Sequence, residues 1–135
     1  MLLSGESIIK AVLASLGTGI SFLFGNWTGL LSILVALVIL DYATGILASY
    51  IKGSLSSSVG LRGIAKKVFM FAIVAVANLL DTLLGDTMIL RNITVFFYIA
   101  NELLSILENA IKAGIPVPEK VKKAILILNE EQKKD

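Results

Sequence analysis

The sequence feature that most limits the fold is a stretch of 41 residues, Ala11 to Ile51, that contains no lysine or arginine and a single charge, Asp41. About 20 helical residues cross the hydrocarbon core of a bilayer. The stretch is therefore too long for one transmembrane helix and suits two. A turn-like segment at 25–29 divides it and includes Trp27, a residue type favoured at membrane interfaces.

The composition of the whole chain agrees with a membrane location. Of the 135 residues, 56% are hydrophobic and 16% are charged, whereas soluble domains carry about 25% charged residues. A chain of this size leaves a large share of its surface outside any core, so much of its apolar surface must face lipid. We therefore predict an all-α, multi-pass integral membrane protein.

Four apolar segments are candidates for transmembrane helices. They cover residues 7–24, 28–51, 66–85 and 89–112, within a predicted transmembrane domain at 1–118. The first segment is the weakest, because it spans the membrane only if residues 7–10 join its helix, and otherwise it lies in the membrane interface. Four spans are favoured over three.

Basic residues predict the orientation of these helices. Four spans with both termini in the cytoplasm place 11 of the 12 basic residues on the cytoplasmic side. Residues 52–65 form a predicted cytoplasmic loop, and residues 119–135 a charged tail with a short amphipathic helix. The basic residues predicted to attract lipid headgroups near this loop are Lys52, Arg62, Lys66 and Lys67.

Several polar residues recur at helical spacing inside the apolar segments, where ionisable groups are costly and usually face protein or water. On the fourth segment they form a polar seam that comprises Thr94, Tyr98, Asn101, Ser105, Glu108 and Lys112. Such faces predict either close helix packing within one chain or the lining of an assembly of subunits. The candidate packing or pore-lining residues are Asp41, Thr44, Gly45, Asn78, Asp81, Tyr98, Asn101, Glu102, Ser105 and Glu108.

The sequence contains no pattern that indicates catalysis. Histidine and cysteine are absent, which removes the commonest general base and any thiolate ligand. Glycine residues of the predicted loop are not followed by the Lys-Ser or Lys-Thr of a phosphate-binding loop. We expect no enzymatic activity, no cofactor and no metal site. The basic segments lack interleaved aromatic residues, so nucleic-acid binding is not expected either.

Several short motifs resemble one family of membrane proteins. They are Asp41-Tyr42-x-Thr44-Gly45, Lys52-Gly53-x-x-Ser56-Ser57, Gly60-x-x-Gly63-Ile64-x-x-Lys67, Asn101-Glu102-x-x-Ser105-Ile106-x-x-Asn109 and Gly114-Ile115-Pro116-x-Pro118. In this order and spacing, over about 40–118, they resemble the phage-lysis and toxin-secretion holins known as holin family 4.

The resemblance implies a protein that self-associates in the bacterial cytoplasmic membrane as a homo-oligomer. At a programmed time it would form lesions that release a cytoplasmic murein hydrolase, the endolysin, or a toxin without a signal peptide. Direct contact with that released partner is not required. Two other classes stay open: a small ion channel or transporter, and a non-conducting, antiholin-like membrane partner.

Overall fold

The structure, a computed structural model, describes residue 2, residues 4–85 and residues 87–133. Within these ranges the chain forms helices α1 (Gly5–Phe24), α2 (Gly29–Ile51), α3 (Ser57–Leu83), α4 (Ile89–Lys112) and α5 (Glu119–Lys133). The first four are long and apolar enough to cross a membrane. The prediction of a helical protein with four such helices is therefore confirmed.

Serine caps and glycine residues set the ends of the helices. The Ser4 hydroxyl accepts a hydrogen bond of 3.2 Å from the backbone N–H of Ser7 at the start of α1, as is usual for an N-cap. Gly25 and Gly53, with φ angles of 76° and 71°, follow α1 and α2. The helix bounds leave connections of only four or five residues at 25–28, 52–56 and 84–88.

Helix α1 is long enough to span the membrane, because residues 7–10 belong to it. It begins at Gly5, so residues 7–10 are helical, and its 20 residues extend over about 30 Å. That length matches the hydrocarbon thickness of a bilayer.

The start of α3 corrects the loop predicted at 52–65. The Ser56 hydroxyl accepts from the Val59 N–H at 3.2 Å, and the helix begins at Ser57. Gly60 and Gly63 lie inside this helix and face Tyr42 of α2: a Cβ atom at either glycine would lie 3.4 Å from the Tyr42 side chain. Of the residues interpreted as loop, Ser56 therefore caps α3, and Gly60 and Gly63 lie where α3 packs against α2.

Helices α2, α3 and α4 form the central bundle. α2 packs most extensively against α4, and α3 packs against α4 more than against α2. The core side chains come from all three helices and are Leu31, Leu34, Val38, Met70, Val74, Val95 and Ile99. α1 contacts α3 but has no buried residue, whereas α5 packs on α4 through the buried Ile125.

The outer surface of the long helices is apolar. In each of the four long helices, at most 28% of the residues in the most hydrophobic segment are buried. Phe69 and Leu83, for example, are 72% and 81% exposed. Apolar surface on this scale requires lipid around it. The fold is thus that of a multi-pass membrane protein with a small internal core.

Candidate functional site

The first polar site is a lysine cluster, formed by Asp41 and Thr44 of α2, Lys67 of α3, and Glu102 and Asn109 of α4. The Lys67 Nζ atom lies 2.7 Å from both Glu102 carboxylate oxygens. It also donates a hydrogen bond to Asp41 Oδ2. One ammonium group thus joins carboxylates from the two neighbouring helices, and charge-assisted hydrogen bonds of this kind are among the stronger ones in proteins.

Asn109 completes the lysine cluster on the opposite side of Asp41. Its Nδ2 atom lies 2.9 Å from Asp41 Oδ1 and 2.9 Å from the Thr44 hydroxyl. The Thr44 hydroxyl in turn donates to the Leu40 carbonyl at 2.7 Å, which leaves its oxygen free to accept. Gly45 faces the same amide: an added Cβ would lie 3.5 Å from Asn109 Nδ2, at ordinary van der Waals distance.

The lysine cluster carries more negative than positive groups. Asp41 and Glu102 have side chains that are 7% and 6% exposed, and Lys67 is 20% exposed. Among the described residues, no group of three potential metal-ligating side chains converges here or elsewhere. Since a buried charge without a partner is strongly unfavourable, separation of α3 from α2 and α4 would require water or another cation to reach the carboxylates.

A cavity of about 270 Å³ provides access to the lysine cluster. Its walls come from α2, α3 and α4, and include Asp41, Tyr42, Ser105 and Asn109. Lys66 and Lys112 also line it, and both are exposed. The cluster therefore lies at the base of a polar opening and is not sealed in apolar surroundings.

The second polar site is an arginine cluster, formed by Asn78 and Asp81 of α3 and Arg91 of α4. The Arg91 residue is fully buried, and its Nη1 atom donates to the backbone carbonyls of Phe24 at 2.8 Å and Asn26 at 2.7 Å. Asn78 Nδ2 donates to the two preceding carbonyls of α1, those of residues 22 and 23, at 3.2 Å and 3.0 Å.

These hydrogen bonds satisfy the end of α1. The last four carbonyls of a helix have no partner within the helix, and in hydrocarbon each unsatisfied group costs several kcal/mol. Gly25 N–H binds the Ser21 carbonyl at 2.8 Å, and the side chains of Asn78 and Arg91 bind the others. The cationic guanidinium also suits the negative end of the helix dipole.

Asp81 has a matching role at the start of α4. Its two carboxylate oxygens accept from the backbone N–H groups of Leu90 at 3.0 Å and Arg91 at 2.8 Å. Met88, the residue before α4, provides no side-chain cap. Asp81 therefore caps α4 from the neighbouring helix, as a carboxylate favours a helix N-terminus. From the sequence alone, Arg91 is expected to pair with Asp81 or with Asp86, and Asp86 lies outside the described residues.

The polar seam predicted on α4 does not coincide with the buried face of that helix. The buried face runs through Arg91, Val95, Ile99 and Glu102, and the seam lies on its flank. Within the seam, Tyr98, Asn101 and Ser105 are half-buried, and Glu108 is exposed. Tyr98 packs against the core and makes an edge-to-face contact with Phe97, with ring centroids 5.4 Å apart.

The basic residues predicted to attract headgroups separate into two sets. Lys52, Arg62 and Lys66 are exposed, and Arg62 lies on α3 instead of in the predicted loop. Lys67, by contrast, is held in the lysine cluster by Asp41 and Glu102. Its ammonium group is thus committed to internal contacts.

Sequence reasoning did not identify Asn109 as a site residue, although it stands in one of the motifs. It follows Glu102 by seven residues, which places both side chains on one face of α4. The contact of Arg91 with the end of α1 was not predicted either, because it requires knowledge of how α1 meets α3 and α4.

Comparison with known proteins places both clusters inside one family. The model of the bacteriophage holin family matches residues 18–130. An uncharacterized protein of Halalkalibacterium halodurans is 46% identical over 134 residues, which cover 96% of this chain and 99% of that protein. An uncharacterized 14.9 kDa protein of Clostridium perfringens is 42% identical over 125 residues, with 92% and 95% coverage.

A further relative carries a functional description. A probable holin of Bacillus phage phi105 is 37% identical over 98 residues, which cover 73% of this chain and 72% of the phage protein. No solved structure matches the chain. The four long apolar helices, the family match across both polar clusters and the phage relative lead to one conclusion: this chain belongs to the bacteriophage holin family.

Proposed function

We propose that this protein is a holin that accumulates in the bacterial cytoplasmic membrane and forms timed lesions there. The lesions would let a cytoplasmic endolysin, or a toxin without a signal peptide, reach the cell wall. Membership in the holin family and similarity to a probable phage holin support this role, and family membership suggests a non-enzymatic membrane protein. In the proposed topology both termini and the 52–56 connection face the cytoplasm, in line with the positive-inside rule.

The observation that carries the proposal is a polar group left without a partner on the flank of α4. Asn101 is half-buried and lies near the middle of α4. Within the described part of the chain its side chain makes no hydrogen bond. A primary amide at this depth in hydrocarbon gains by pairing with another helix, at about 0.6–2 kcal/mol in membrane proteins. A second copy of the chain can supply that partner.

The polar clusters explain how such a protein stays inactive before lesions form. In one chain Asp41, Lys67 and Glu102 bind one another, and most of the outer surface of the long helices is apolar. Within the membrane-spanning part of α4, a single copy therefore presents only the narrow polar seam on the flank of that helix. In an assembly, rotation of α4 would turn its polar seam and Glu102 toward neighbouring copies and toward water, as a lesion requires.

The test is inducible expression in bacteria, with and without a murein hydrolase that lacks an export signal, followed by culture turbidity. Sudden lysis that needs both proteins supports protein-sized lesions. Slow growth arrest that is identical with and without the hydrolase contradicts the holin proposal, and favours a small ion channel or transporter, or an antiholin-like partner. Co-expression with a working holin distinguishes the last of these, because an antiholin delays lysis.

Variants of the polar seam connect the assay to the structure. Replacing Asn101 and Ser105 by Leu is expected to shift the time of lysis while the protein still inserts, with self-association weakened about 3- to 30-fold by loss of the amide pairing. The control replaces the exposed Ile93 and Ile111 of the same helix by Leu. Unchanged timing in the first variant at equal expression would remove the seam from the mechanism.

A further inference from the structure

Helices α2 and α3 leave an open cleft between them near the lysine cluster. The two helices contact each other less than any other pair in the central bundle. Apolar side chains line the outer part of the cleft, which has a volume of about 500 Å³. They are Val38, Ile39, Ala43, Ile64, Val68 and Phe71. This apolar cleft extends along α3 from Ile64 to Phe71, about 10 Å.

The apolar cleft adjoins the polar cavity described above. Tyr42 and Lys67 line both spaces, so they stand at the boundary between the apolar and the polar part. On the polar side, the lining of the cavity includes two exposed lysine residues, Lys66 and Lys112. A molecule that occupied both spaces would need an apolar part about as long as the cleft and an anionic group at the lysine end.

The anionic group of such a molecule needs a lysine residue of the cavity that has no ion-pair partner. Lys67 is paired with Asp41 and Glu102, so its charge is already offset. Within the described residues neither Lys66 nor Lys112 has an ion-pair partner. Two exposed lysine residues on different helices, α3 and α4, therefore remain to bind an anion at the cavity.

We propose that the α2–α3 cleft binds one anionic phospholipid, with the first part of an acyl chain between α2 and α3 and the phosphate held by Lys66 and Lys112. The exposed apolar residues of the cleft suit contact with lipid, and Lys66, in the first half of α3, lines the same cavity as Lys112, the last residue of α4. Basic pockets between transmembrane helices are known to bind lipid headgroups. The proposal concerns a single bound lipid, beyond the general attraction of basic residues for a membrane surface, and it stands whether or not the chain forms lesions.

The test uses the purified full chain in detergent and native mass spectrometry with added phosphatidylglycerol or phosphatidylcholine. One phosphatidylglycerol molecule is expected to bind with higher affinity than phosphatidylcholine. The K66Q/K112Q variant should lose about 25-fold in affinity for phosphatidylglycerol, about fivefold for each lysine. The control is K52Q/R62Q, which removes the same charge at exposed positions outside the cavity. Equal losses in both variants would overturn the site, since they would indicate surface attraction alone.

A second pair of variants tests the apolar cleft without a change of charge. Ala43 lines the cleft and is exposed, whereas Ala36 is an exposed residue of α2 outside it. A43F is expected to weaken phosphatidylglycerol binding at least fivefold, and A36F to leave it within twofold. Equal effects of the two substitutions would overturn the acyl-chain part of the proposal. Displacement of the lipid by millimolar inorganic phosphate would also overturn it, since a free anion would then be sufficient.

Discussion

Replacement of Lys67 by methionine removes the one cation of the lysine cluster and keeps most of the side-chain length. The ammonium group binds three carboxylate oxygens from two helices, and its loss leaves Asp41 and Glu102 facing each other. Removing one partner of a buried ion pair costs about 3–5 kcal/mol. We expect about 3 kcal/mol, the lower end, because 20% of the Lys67 side chain is exposed and water can enter.

The assay is reversible unfolding of the purified chain in mixed micelles of a mild detergent and sodium dodecyl sulfate, followed by far-UV circular dichroism. A loss of about 3 kcal/mol corresponds to a change of roughly 150-fold in the unfolding equilibrium constant. Lys66→Met is the matched control: the same chemical change at the adjacent, exposed residue should alter the free energy of unfolding by about 0.5 kcal/mol or less.

A double variant tests the cause of the loss. Adding Glu102→Gln to Lys67→Met removes one of the two facing carboxylates, so the double variant should be more stable than Lys67→Met alone. The coupling between the two sites is then measured by the full double-mutant cycle. The reasoning fails if Lys67→Met unfolds like Lys66→Met, or if Glu102→Gln costs as much in the Lys67→Met background as in the native chain.

Three further changes have expected outcomes in the same unfolding assay. Gly25→Ala should cost at least about 1 kcal/mol more than Gly53→Ala: both glycines have positive φ, but a Cβ at Gly25 would lie 2.5 Å from Asn78 Oδ1, and one at Gly53 would meet nothing within 4 Å. Asp81→Ala should cost about 1–2 kcal/mol through loss of the α4 cap, and Asp81→Asn less, because it keeps an acceptor; equal losses would contradict the capping role. Asn109→Ala should cost about 1–3 kcal/mol, and a change below about 0.5 kcal/mol would show that the amide is dispensable.

The sequence predicted the apolar helices well because their signal is local. The second and fourth segments were expected at 28–51 and 89–112, and the helices run from Gly29 to Ile51 and from Ile89 to Lys112. The third was expected to begin at 66 and begins at Ser57. The error arose from reading Ser56, Gly60 and Gly63 as loop residues, although a serine is also a helix cap and a glycine also permits close helix packing.

The polar sites were harder to predict, because they depend on how the helices face each other. Asp41, Asn78, Asp81 and Glu102 were selected from their cost in hydrocarbon, and all four are buried in the two clusters. Lys67 was assigned to the surface, since nothing near it in the sequence indicates partners 26 and 35 residues away. The spacing of the polar seam did not distinguish the buried face of α4 from its flank, and the lining of an assembly by the seam stays a prediction.

The short connections between the helices limit what one chain can enclose. The 52–56 connection joins Ile51 to Ser57 in six residue steps, which span at most about 22 Å when fully extended, so the adjoining ends of α2 and α3 stay within that distance of each other. A compact domain of 100 residues has a radius of gyration of about 13 Å, so its diameter exceeds about 26 Å. Such a domain is wider than this gap. Any opening that passes a folded hydrolase must have a perimeter shared among several copies of this chain. Its diameter would then depend on the number of copies recruited.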